Sequence, residues 1–161
     1  MRTIPAAAGL AMLLAACVGN PFNAHGVRAG ESRDAVIARL GAPTRVVRLP
    51  VGERLQDSLQ PFGQHAWMVD LDAGGRVLRS RQVLNANDFN RIEVGQWTRD
   101  DVEREFGPPA LVDGVASWNG PILTYRWSDG SDMFYYVYLD RRNVVQRAHP
   151  GMEFHNAPER D

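Results

Sequence analysis

The chain has a single cysteine in 161 residues and no lysine. One cysteine excludes an intrachain disulfide and a thiolate metal cage, so the core must come from packing alone. All 18 basic residues are arginine, which reports codon composition rather than function. The formal net charge of −1 leaves no basic field for nucleic acid. No apolar run reaches the roughly 20 residues that span a bilayer core. G-x-S-x-G, phosphate-loop and His-Glu metal motifs are missing. The histidines are His25, His65, His149 and His155. The last two flank Glu153 in HPGMEFH, a Pro- and Gly-containing stretch that reads as solvated tail rather than as a metal site. SDGSD at 128–132 lacks the spacing of a calcium loop and reads as a hairpin turn. No catalytic residue, metal ligand or cofactor site is assigned, and the chain reads as a non-enzyme. Hydrophobic and charged fractions of 44% and 23% are those of an ordinary globular protein.

What is present begins at the N-terminus. MRTIPAAAGLAMLLAA has a charged start at Arg2, a short apolar centre and small residues at its end. This is the layout of a secretory signal. Leu14-Ala15-Ala16-Cys17 resembles the bacterial lipobox. That resemblance implies cleavage between Ala16 and Cys17 and a covalent lipid, palmitate included, on Cys17. One acyl chain holds a protein only marginally, whereas several hold it durably. Residue 18 is Val rather than Asp, which by the same resemblance implies the outer membrane, with the protein facing the periplasm.

The remaining chain contains one unit twice. NPFN at 20–23 and GESRDAVIARLGAP at 30–43 return as NDFN at 87–90 and GQWTRDDVEREFGPP at 95–109. Ser32 and Thr98, Val36 and Val102, Gly41 and Gly107, Pro43 and Pro109 are each 66 residues apart. Further on, WMVDLDAGGRVLR at 67–79 aligns with YYVYLDRRNVVQR at 135–147, at an offset of 68. Repetition at a fixed period marks a duplicated structural unit. Ser32 and Thr98 suit helix N-caps. Asp34, Asp100 and Asp101 put negative charge at the positive helix end. Val36/Leu40 and Val102/Phe106 give each helix an apolar stripe. Gly41 and Gly107 suit the C-terminal turn, and Pro43 and Pro109 block continuation. These are structural roles.

Strands are expected at 44–50, 65–72 and 76–84 in the first copy, with 51–63 a loop. In the second they are expected at 110–116, 122–128, 133–140 and 144–149, with Asp129-Gly130 as a hairpin signal. Helix followed by antiparallel strands, twice, predicts an α+β fold of two tandem repeats, each a short helical segment packed on an antiparallel sheet. The expected organisation is signal 1–16, lipidated tether 17–21, first repeat 22–84, second repeat 85–149 and a loose tail 150–161.

The landmarks Gly30, Ser32, Asp34, Val36, Leu40, Gly41, Pro43 and Gly95, Thr98, Asp101, Val102, Phe106, Gly107, Pro109 resemble the SmpA/OmlA/BamE lipoprotein domain. More broadly they resemble the β-lactamase-inhibitor-protein fold, in which two such units stand side by side. The resemblance implies an envelope protein working through contacts, either supporting β-barrel assembly or acting as a binding and inhibitory module on an envelope enzyme. Its implied partners are the membrane, through the lipid, and an envelope protein such as the barrel-assembly machinery.

The candidate partner-binding residues are aromatic: Tyr125, Trp127, Phe134, Tyr136 and Tyr138. A two-residue hairpin loop pairs Tyr125 with Phe134, and a four-residue loop pairs it with Tyr136. Either register places all five on one sheet face. Tyr135, Val137 and Leu139 align with the apolar set Trp67, Val69 and Leu71, while Phe134, Tyr136 and Tyr138 align with the weaker set Ala66, Met68 and Asp70. The aromatic face is therefore expected to point outward, with packing against the helix or the other repeat as the alternative.

Overall fold

A computed structural model describes residues 26–153. Ala16, Cys17, the NPFN motif, His25 and His155 lie outside the described residues. The elements run α1 (Arg33–Leu40), β1 (Arg45–Arg48), β2 (Glu53–Ser58), β3 (Ala66–Leu71), β4 (Val77–Gln82), α2 (Ala86–Phe89), α3 (Arg99–Phe106), β5 (Leu111–Asp113), β6 (Ile122–Ser128), β7 (Asp132–Leu139) and β8 (Val145–Met152). They form two antiparallel four-stranded sheets, β1-β2-β3-β4 and β5-β6-β7-β8, an α+β architecture. No described helix is long and apolar enough to cross a membrane.

Both eight-residue helices are built alike. The Ser32 hydroxyl accepts from the Ala35 amide at 3.2 Å. Thr98 accepts from Asp101, and the Asp101 carboxylate accepts in return from the Thr98 amide at 2.8 Å, a full capping box. At the other end Gly41 and Gly107 leave the helix at φ 92° and 81°, a region a side chain disfavours. Each helix start is tied to the distal hairpin of its own sheet. The Arg33 amide donates to Gly75 at 2.9 Å and the Arg99 amide to Asn143 at 2.8 Å, and Ser32 and Thr98 bridge Arg76 and Val144. The two sheets even share an irregularity, a shift of register at Asp70/Leu71 and at Tyr138/Leu139. Gly52 and Gly120 make the same close approach: a Cβ on either would stand 2.0 Å from the carbonyl oxygen of Leu71 or Leu139. The two helix-plus-sheet units therefore correspond in backbone detail.

Two expectations need correction, and one element is added. Residues 51–63 are not all loop, because β2 occupies Glu53–Ser58 and pairs on both sides. Its sequence ERLQDS hides this, since Arg54 and Gln56 are polar yet buried. The strand β8 runs to Met152, so the region from 150 is in part sheet, with Tyr135 opposite Pro150. Proline is tolerated there because β8 is an edge strand. The short α2, capped by Asn85, carries Phe89 into the core and has too few residues for a periodic signal.

The layers stack in the order α1, first sheet, α2 with α3, second sheet. Val36 of α1 packs with Leu55, Val69, Leu71 and Val77 on one face of the first sheet. Ala66 and Met68 on the opposite face join Phe89, Val102, Phe106, Tyr125, Tyr135 and Val137 in the larger core. The first sheet is thus covered on both sides, and every residue of β3 is buried. Polar groups fix that inner contact. The Gln56 amide donates to the Glu103 and Arg104 carbonyls at 2.9 Å. Arg54 donates to the Arg104 carbonyl at 2.9 Å, so a cation stands at the C-terminus of α3, where the helix dipole favours it. The same guanidinium holds Asp70 at 2.5 and 3.1 Å and Glu105 at 3.0 Å. Burial would push the Asp70 carboxyl up, but hydrogen bonds from Arg54 and Arg79 outweigh it and hold the group below the ordinary aspartate range.

Candidate binding face on the second sheet

Strands β6 and β7 join through three residues, with Ser128 opposite Asp132 and Gly130 at φ 82°. An odd loop with a left-handed glycine is a common hairpin form. It shifts the pairing by one residue from either even-numbered register, and a one-residue shift exchanges the faces. Trp127 lies opposite Met133 and Tyr125 opposite Tyr135. The five candidate aromatics are therefore divided. Tyr125 and Trp127 are buried on the inner face, at 0% and 4% exposure. Phe134, Tyr136 and Tyr138 are partly exposed on the outer one.

Inside, Tyr125 is part of the structure of the core. Its hydroxyl donates to the Gly107 carbonyl at 2.9 Å, at the point where α3 ends. Burial raises its pKa well above that of a free tyrosine, so it stays a neutral donor. Phe89 stacks on Tyr135 at 3.9 Å and meets Trp127 edge-on at 5.6 Å.

Outside, the rings form a continuous ladder. Phe134 and Tyr136 are 5.9 Å apart, and Tyr136 and Tyr138 6.5 Å. His149, opposite Tyr136 on β8, lies 5.5 Å from Tyr136 and stacks on Tyr138 at 5.4 Å. The Arg147 guanidinium sits 5.0 Å over Tyr138, and Arg126 lies 5.8 Å from Phe134. Trp118 closes the far end edge-on to Tyr138 at 5.3 Å, its indole N–H donating to the Leu139 carbonyl at 2.8 Å. Gly151 makes room for the ladder, because a Cβ there would come within 2.7 Å of the Tyr136 ring. Desolvation, with Tyr138 and Glu153 nearby, raises the Tyr136 pKa and keeps its hydroxyl protonated.

A wall beside the ladder comes from the other half of the molecule. The segment 59–65, between β2 and β3, projects Phe62 at 88% exposure. With Leu111 it flanks a groove floored by Thr124, Arg126, Phe134 and Tyr136. Gln60 anchors this segment beyond the end of β5. Its amide donates to the Arg126 carbonyl at 2.9 Å and accepts from the Arg126 amide at 3.0 Å, as a neighbouring strand would. Gln64 donates to Asp132 at 2.6 Å, and Arg126 pairs with Glu153. Sequence reasoning missed Phe62, Arg126, His149 and Trp118. Of these only His149 carried a signal, and it was read as part of the tail.

The face offers rings, guanidinium groups and hydroxyl tips. Among the described residues, no group of three or more His, Cys, Asp or Glu converges as a metal site would require.

No family model and no curated protein matches this chain. Among solved structures, one that matches is the crystal structure of a DUF4309 family protein (YjgB) from Bacillus subtilis subsp. subtilis str. 168, at 14% identity. It covers 76% of this chain and 79% of its own, with a TM-score of 0.31, too low to support an argument about fold or function.

Proposed function

We propose that this is a lipid-anchored protein of the bacterial outer membrane, of the BamE-like class, that acts by binding an envelope protein rather than by catalysis. The single observation that carries the binding part is the partly exposed ladder Phe134–Tyr136–Tyr138 with Phe62 standing beside it. Tyrosine and arginine supply large contact area, few rotors and polar tips, and they dominate the energetics of many interfaces. The anchoring part is supported by Leu14-Ala15-Ala16-Cys17, and the class by the repeated Ser/Thr, Val, Gly, Pro landmarks. A second reading, an inhibitor module of the β-lactamase-inhibitor type, is favoured by the tandem arrangement of two helix-plus-sheet units.

Affinity purification from detergent-solubilised envelopes separates the two. Enrichment of the barrel-assembly machinery that is lost in Tyr136→Ala supports the first reading. Recovery of one hydrolase, inhibited by the purified protein, supports the second. If neither is recovered, both readings fall. Cys17→Ser is expected to move the protein out of the membrane fraction, and its persistence there would refute lipid anchoring.

A further inference from the structure

The first unit shows what the corresponding face of the second can hold. In the first sheet, the face bearing Ala66, Met68 and Asp70 is covered by α3, the helix of the other unit. Gln56 and Arg54 donate to the Glu103 and Arg104 carbonyls at the end of that helix. The Glu105 carboxylate, in the last turn, accepts from Arg54 at 3.0 Å and from Arg81 at 3.1 Å. A helix carboxylate thus meets a cation on the edge strand β4.

Pairing identifies the matching positions on the second sheet. Gln56 lies opposite Met68 and Met68 opposite Arg81, as Thr124 lies opposite Tyr136 and Tyr136 opposite His149. Asp70 lies opposite Arg79, as Tyr138 lies opposite Arg147. His149 and Arg147 on β8 therefore stand where Arg81 and Arg79 stand on β4. Arg79 is neutralised by Asp70 at 2.7 Å. Tyr138 takes the place of that aspartate, and Arg147 lies over its ring with no ion pair among the described residues. The outer face combines apolar rings with an unneutralised cation.

We propose that this face receives an acidic amphipathic helix of a partner protein, with apolar side chains on Phe134, Tyr136 and Tyr138 and a carboxylate of its last turn beside Arg147. The proposal rests on the reading of this face as a partner surface and specifies the partner's chemistry. Helices recognised in this way present anchors three and four residues apart. A cation on the docking face also suits the negative end of the helix dipole. The rings are larger than Met68, so such a helix stands farther from the strands than α3 does from β3, and its side chains carry the contact. Charge decides between two helices that the duplication allows. Continuing the stack with a second copy would bring its α1 onto this face, in a head-to-tail contact. At the offset of 66, α1 carries Arg39 where α3 carries Glu105, and its last turn, residues 37–40, holds no carboxylate. That contact would set Arg39 towards Arg147, like charge against like. An acidic helix makes the opposite pairing.

Site-specific photo-cross-linking tests the proposal. A benzophenone side chain replaces Tyr136 or Tyr138 in the full-length protein in its native envelope, and the cross-linked peptides are sequenced by mass spectrometry. Attachment points three or four residues apart, in an acidic segment of one partner, are expected. Attachment at every second residue, the mark of an extended strand, overturns the helix. Attachment to α1 of a second copy overturns the foreign partner. Arg147→Glu should lower the cross-link yield by about ten-fold or more, and reversing the partner's carboxylate to arginine should restore it. An unchanged yield in Arg147→Glu overturns the acidic assignment. Cross-links with the wrong spacing retract the helix and leave the partner surface standing. No cross-link from either position, with the protein folded and present in the envelope, removes the surface and the helix together.

Discussion

The same sheet face has two fates in this molecule. At the 68-residue offset, Ala66, Met68 and Asp70 of the first sheet correspond to Phe134, Tyr136 and Tyr138 of the second. In the first sheet this face is covered by α3, with Gln56 and Arg54 seizing the last carbonyls of the helix. In the second sheet the described residues place no helix over it, and large rings stand where alanine and methionine stood. Small side chains let a helix approach closely, whereas a ladder of rings supplies area to something outside. The first unit demonstrates that this face of the fold can carry a helix.

The largest effects are expected where the face is filled. Arg54→Ala removes the buried partner of Asp70, one partner of Glu105 and the cation at the end of α3, leaving the buried Asp70 carboxylate with the exposed Arg79 alone. A loss of about 3–5 kcal/mol in urea unfolding is expected. A loss below 1 kcal/mol would mean that water enters this layer and that the two sheet faces differ less than their burial implies. The same cluster fixes a pH response. The folded pKa of Asp70 is depressed, so its contribution is complete above the unfolded value of about 3.9 and is lost as pH falls through the lower folded value. The urea midpoint should therefore drop below about pH 4, and Asp70→Asn should be weaker at neutral pH but flatter across that window. A slope unchanged in Asp70→Asn would assign the acid response to other carboxylates.

The gross architecture was legible because each helix is punctuated. The Ser/Thr cap, the glycine and the proline recur at one offset, and all three are local chemistry. The strand β2 was not legible, because Arg54 and Gln56 read as surface residues until a helix 50 positions away supplied their partners. Alignment of the copies placed Tyr135, Val137 and Leu139 inward, and they are buried. It put Ala66, Met68 and Asp70 in a weaker set, yet these are buried too, by the other unit. The candidate site was half legible. Asp129-Gly130 marked the turn but not its length, and one residue of loop moved Tyr125 and Trp127 to the opposite face. Phe62 was beyond reach, since nothing local says that segment 59–65 lies against another unit's sheet.

A smaller effect sharpens the contrast between the inner and outer tyrosines. Tyr125→Phe keeps the ring and deletes the donor to the Gly107 carbonyl. It should cost about 1 kcal/mol, the usual net value of one hydrogen bond. Tyr136→Phe on the outer face has no such buried acceptor to abandon and should change stability by no more than a few tenths of a kcal/mol. Equal losses in the two variants, measured by the same unfolding experiment, would show that the outer hydroxyl has a structural task of its own.

The smallest effect on folding should accompany the largest on binding. Phe62 is almost wholly exposed, and truncating it to alanine removes little buried area, so stability should stay within about 0.5 kcal/mol of the parent. Tyr136→Ala loses its ring contacts with Phe134, Tyr138 and His149, each worth about 1 kcal/mol or less, and its partial exposure limits the total. If the ladder and its wall form one contact surface, each variant should weaken capture of the same envelope partner by more than about ten-fold, and the pair should be less than additive because both touch one groove. Strictly additive losses would divide the surface into two separate contacts. Loss of fold in Tyr136→Ala, with binding unchanged in Phe62→Ala, would return the outer face to a purely structural part, like its covered counterpart in the first sheet.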